Sequence, residues 1–137
     1  MSKLYEKNLN SKLTTYQAGI ARCLLKTCEE SLRWPMVLHR FVYSRQPTEC
    51  GIPHWGFAIM VSRIKGYSYG QGYGRHSQQE VYEIGKADLK AIDTIIGENK
   101  FIFGDEACET DAAVFGIIAQ IIFHDRGPLN KFATGII

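Results

Sequence analysis

Residues Glu109-Thr110-Asp111-Ala112-Ala113-Val114-Phe115-Gly116-Ile117-Ile118-Ala119-Gln120-Ile121-Ile122-Phe123-His124 decide the fold, because between Ala112 and Phe123 the only strongly polar side chain is Gln120. A helix that is apolar on every side needs protein around it, not water. Its apolar stretch of about a dozen residues falls short of the ~20 that span a bilayer. It is therefore expected at the centre of an all-α domain, with other helices packed about it. Just ahead lies Gly104-Asp105-Glu106-Ala107-Cys108, which reads as a turn. Asp111, three residues after Cys108, is placed to accept from backbone amides at the helix start. A buried helix end cannot use water instead, and each orphan donor there costs about 1–3 kcal/mol. Cys108 holds the first cap position, where a thiol is a poor acceptor. Thr110 is an alternative acceptor if the helix begins two residues later.

Working outward, Ser77-Gln78-Gln79-Glu80 is a capping box, in which Ser77 and Glu80 each accept from the other's backbone amide. Val81, Ile84, Leu89, Ile92, Ile95 and Ile96 follow as a buried face, and Gly97 is placed to end the helix. Earlier, Leu13, Tyr16, Ile20, Leu24, Thr27, Ser31, Trp34, Leu38 and Phe41 step by three or four, which predicts a helix over residues 13–43. Lys26–Glu30 and Glu29–Arg33 sit at ion-pair spacing on its outer side, each contributing only about 0.2–0.5 kcal/mol. Pro35 removes a donor and crowds the carbonyl of Ser31, so a kink or break is expected there. A loop over residues 44–51 precedes a second helix with Pro53 in its first turn. That helix is expected to fade into Gly66-Tyr67-Ser68-Tyr69-Gly70-Gln71-Gly72-Tyr73-Gly74, whose glycines read as an inter-helical loop. No strand–helix–strand alternation occurs, so no parallel sheet is expected.

A chain of 137 residues fits one domain. The formal net charge of +2 is too small, and the charges too interspersed, for a nucleic-acid partner. Cys23, Cys28, Cys50 and Cys108 form no Cys-x-x-Cys pair, which favours free thiols in a reducing compartment. No signal peptide or transmembrane segment is recognisable, and a cytoplasmic location is the expectation.

The segment Gly104 to Gly116 resembles the signature of the glutathione S-transferase C-terminal domain, where a Gly-Asp turn precedes a capped, buried central helix. With Gly74-Arg75-His76-Ser77 and Glu80-Val81-Tyr82 the resemblance narrows to the failed axon connections and metaxin-like branch, including cadmium-responsive nematode proteins. It is specific from Gly72 to Phe123. The implied organisation is a polar segment over residues 1–12 and a helical domain over residues 13–137. The family's N-terminal thioredoxin-like half, which holds the glutathione site, is expected to be absent. Its usual further helix past Pro128 is expected to be cut short.

No catalytic, cofactor-binding or metal-ligating residue is therefore carried over, and glutathione enters only if a thioredoxin-like domain is supplied. Tyr5 has no strand to position it. Cys50-x-x-x-His54 has no second ligand pair at metal spacing. His39, His76 and His124 are isolated, each reading as a surface or capping residue and not as a base. Gly70-x-Gly72-x-Gly74 lacks the strand that a phosphate cradle needs. Tyr67, Tyr69 and Tyr73 with Lys65 and Arg75 could stack on single-stranded nucleic acid, but an inter-helical loop is the simpler reading. The structural candidates are the caps Ser77, Glu80 and Asp111.

Two functions remain. The first is a non-catalytic module acting through protein contact or self-association, because one face of the first and third helices would be left as an exposed apolar patch. The second is the C-terminal part of a glutathione-dependent transferase or a metal- or xenobiotic-detoxifying enzyme, with Trp34 and His39 lining its substrate groove.

Overall fold

The computed structural model describes residues 9–44, 53–124 and 127–136, and among them the fold is all-α. Tyr5 and Cys50 lie outside the described residues, so the readings made on them do too. No helix among the described residues is long and apolar enough to cross a membrane.

The first helical rod opens with α1 (Thr15–Lys26), passes through a π-helical turn (Thr27–Leu32), continues as α2 (Arg33–Leu38) and ends in a second π turn (His39–Tyr43). Thr14 caps it, accepting from the Gln17 amide while the Gln17 side chain accepts from the Thr14 amide at 2.9 Å. The break expected at Pro35 does not occur. The wider π turn just before the proline places the preceding carbonyls on a larger ring, which gives the pyrrolidine room within a continuous rod. Pro35 is buried and packs toward α4: a Cβ on Gly85 would meet Pro35 Cβ at 3.1 Å and Leu129 Cδ2 at 3.0 Å.

Helix α3 (His54–Gln71) runs straight through the segment read as a loop, which corrects that expectation. Gly66 and Gly70 are helical, and the chain turns only at Gly72, whose φ of 119° suits a residue without a side chain. A short 3-10 turn (Tyr73–Arg75) folds back so tightly that a Cβ on Gly74 would sit 2.6 Å from Tyr69 N. Local glycine content weakens this helix end, but tertiary contact at Ser68 and Gly74 overrides it.

Helix α4 (Gln78–Ile96) stops at Gly97 with φ 54°, as its sequence suggested. An isolated bridge between Phe101 and Gly104 shapes the connector to α5 (Glu109–His124). Helix α6 (Pro128–Ile136), the helix past Pro128 that was expected to be cut short, is nine residues long, begins on a proline and buries Leu129 and Ala133. The described residues thus form five helical rods where four were expected. Leu24, Leu32, Ile92, Val114, Ile121 and Leu129 make the centre of the core, drawn from α1, its π turn, α4, α5 and α6.

Helix α5 runs through this bundle and buries Thr110, Val114 and Ile121. Its cover is one-sided, however. Phe115 and Phe123 are 69% and 74% exposed, so the apolar side that the sequence placed inside protein is open here.

Candidate functional site

The residues at the start of α5 build one connected support. Asp111 Oδ2 accepts from the Cys108 amide at 2.7 Å, and Oδ1 accepts from the Ile102 amide at 2.8 Å. Burial alone would raise this carboxyl, but the hydrogen bonds from Ile102 and Cys108 outweigh it and hold Asp111 below the ordinary carboxylate range. The Glu109 amide is satisfied from far along the chain: Asn10 Oδ1 accepts from it at 3.2 Å, and Asn10 Nδ2 donates to Glu109 Oε2 at 2.9 Å. Thr110, the alternative acceptor, is fully buried with its hydroxyl unpartnered. At α4, Ser77 Oγ accepts from the Glu80 amide at 3.3 Å and Glu80 Oε2 accepts from the Ser77 amide at 2.7 Å. These bonds hold Glu80 below its usual range.

A polar chain that sequence reading missed lies at the first π turn. Ser31 Oγ donates to Asp88 Oδ2 at 2.5 Å and shares a 2.5 Å hydrogen bond with the Tyr73 hydroxyl. Burial raises the Asp88 carboxyl above its ordinary value, only partly offset by Ser31. Beside it burial pushes the Cys28 thiol up to about 11, which keeps it protonated and unreactive. The visible signal was Asp88 itself, a carboxylate on the apolar stripe of α4 between Val81 and Ile92. The chain ties the π turn to α4 and the 3-10 turn.

Trp34 and His39 are both half-buried and five positions apart, about 140° around a helix, so they share no face. His39 Nδ1 is hydrogen-bonded to the Tyr82 hydroxyl at 2.7 Å, and the imidazole sits where a Cβ on Gly127 would be. Among the described residues no group of His, Cys, Asp and Glu could hold a metal ion.

An apolar groove of about 670 Å³ lies between α1 and α4, lined by Tyr16, Ile20, Cys23, Leu24, Ile92 and Ile95 among others. Neither Trp34 nor His39 belongs to it. Tyr16 stands 78% exposed at its edge. Cys23 is a free, exposed thiol, whereas Cys28 and Cys108 are free and buried.

A connector anchored by an aspartate stands at the head of the largely apolar α5, with α4 and α6 packed in the same core, and this is the region where the chain is similar to a known family. Residues 85–135, which take in the later part of α4, all of α5 and nearly all of α6, match the family described as glutathione S-transferase, C-terminal domain. The likeness of this region is to the helical C-terminal domain of that family. The chain is 27% identical to "Failed axon connections" of Drosophila melanogaster, over 98% of this chain and 37% of that protein. It is 26% identical to "Isoprene-epoxide--glutathione S-transferase" of Rhodococcus sp. (strain AD45), over 82% of this chain and 52% of that protein. The chain thus spans between about a third and a half of the length of these curated relatives. No solved structure matches it significantly.

Proposed function

We propose that this domain is non-catalytic and works by protein contact, in the cytoplasm, through the apolar groove between α1 and α4. The groove is the observation that carries the reading. Tyr16, Ile20, Cys23 and Ile95 present apolar surface to solvent on two adjacent helices, the arrangement that marks an association face. The resemblance supplies the occupant: a thioredoxin-like domain, on the same or another polypeptide, whose burial of this face removes apolar area from water at about 25 cal/mol per Å². In its absence two copies of the domain cover each other's grooves. Sedimentation over a tenfold concentration range is expected to show reversible self-association that Ile20→Asp abolishes. A monomer throughout would overturn the reading. Calorimetry with glutathione is expected to show no binding by the chain alone, since among the described residues no cysteine or tyrosine has the strand-and-loop setting of a glutathione site.

A second reading rests on the similarity to the Rhodococcus glutathione S-transferase. In it the chain is the helical half of a transferase, with the glutathione residues in the other half and Trp34, without His39, facing the second substrate. Glutathione bound only after addition of a thioredoxin-like domain, with turnover that falls on Trp34→Ala, supports this reading over the first.

A further inference from the structure

We infer that the outward face of α3 is a peripheral docking site for an anionic lipid bilayer. Helix α3 buries only Phe57 and Ser68, although it is 18 residues long. At about 100° per residue these two lie together on one side. Opposite them Trp55 marks the middle of the exposed face, with Ile59 about 40° to one side and Tyr69 about 40° to the other. Their exposures are 73%, 51% and 61%. Gly66 and Gly70 share this face and have nothing within 4 Å of where a Cβ would stand, so the backbone there is open.

Charge selects the occupant. Arg63 and Lys65 are exposed about 80° to either side of Trp55, one on each edge of the apolar strip. Arg75 lies over the Tyr69 ring at 5.1 Å and adds a third cation at one end. No Asp or Glu occurs between Glu49 and Glu80. The α1–α4 groove differs, because no charged side chain is among the residues that line it. An apolar and aromatic strip with a cation along each edge suits a planar negative surface: Trp and Tyr rings settle at the headgroup level while Arg and Lys reach lipid phosphates. A second copy of the same face would set Arg63 and Lys65 against like charges. A single nucleic-acid strand has one line of phosphates, whereas these cations stand on opposite sides of the strip.

Vesicle co-sedimentation of the full chain tests this. Vesicles of phosphatidylcholine with one quarter phosphatidylserine are expected to bind it, and pure phosphatidylcholine vesicles are not. Binding should weaken with added salt and blue-shift the tryptophan emission. The shift should vanish in Trp55→Phe while far-UV circular dichroism is unchanged. Each cation near such a surface is worth roughly fivefold in partitioning, so Arg63→Gln with Lys65→Gln is expected to weaken binding more than tenfold. Ile20→Asp, in the α1–α4 groove, is expected to leave it unchanged, which separates this site from the protein-contact face. Four results would each overturn the inference: no binding to anionic vesicles, undiminished binding by the double variant, loss of binding in Ile20→Asp, or binding of a single-stranded oligonucleotide with none to vesicles.

Discussion

Asn10 Oδ1 accepts a hydrogen bond from the Glu109 amide at 3.2 Å, so a residue 99 positions away caps α5. The same side chain returns a bond to Glu109 Oε2, and two residues on Lys12 pairs with Glu106 at 2.6 Å. That ion pair is largely exposed and contributes little. The Asn10 cap is the stronger tie. Asn10→Ala is expected to lower unfolding stability by about 1 kcal/mol in a urea titration, in line with the loss of other polar caps.

Asp111 holds two backbone donors, from Cys108 and Ile102, and so joins the helix start to the connector. Asp111→Ala leaves both amides without their acceptor and is expected to cost about 2–4 kcal/mol. Asp105→Ala, an exposed residue, is expected to do little. Equal small losses in both variants would remove Asp111 from this role. Because its pKa is lowered in the fold, Asp111 stabilises the domain above the ordinary carboxylate pKa. That contribution is lost as pH falls through the lower, folded value. The acid limb of a pH–stability curve should flatten in Asp111→Ala.

Asp88 has the opposite sign. Burial raises its pKa, so its ionised form opposes folding at neutral pH, and this opposition disappears as pH falls below the unfolded value. Asp88→Asn keeps an acceptor for Ser31 and is expected to raise the melting midpoint slightly at pH 7 and not at pH 3.5. A lower midpoint at pH 7 would show that the charged hydrogen bond outweighs burial.

The Thr110 hydroxyl is buried with no partner, at a position where valine has the same shape. Thr110→Val is expected to stabilise the domain by about 1 kcal/mol, because it removes a desolvated group that gains nothing. Thermal unfolding reads this directly.

Gly85 lies where α4 meets Pro35 and Leu129, with an added Cβ at 3.0–3.2 Å from their side chains. Gly85→Ala is expected to destabilise by about 1–3 kcal/mol through overpacking. Gly116, in α5 with nothing within 4 Å, is the control: Gly116→Ala is expected to stabilise by about 0.5–1 kcal/mol, as helix propensity alone predicts.

Much of the fold was legible because its signals are local. The 3.6-residue stripes of α1 and α4, the pairing of Ser77 with Glu80, the stop at Gly97 and the apolar run of α5 depend on residues within a turn or two of one another. Helix α6 also had a local sign, a proline followed by Leu129, Phe132 and Ala133, but no polar cap announced it. Tertiary contact decided the rest. Glycines that weaken a helix on their own stay helical in α3 because Ser68 and Gly74 pack behind them, and Pro35 fits a continuous rod that follows a π turn, with its ring packed against Gly85. Hydrogen bonds such as Asn10 to Glu109 and Ser31 to Asp88 join residues that periodicity cannot relate. Above all, sequence can mark a face as apolar, but which apolar faces lack a cover depends on where every other helix lies. The open side of α5 and the cation-edged strip of α3 therefore belong to the tertiary structure alone, whereas the open face of α1 and α4 was already expected from the family resemblance.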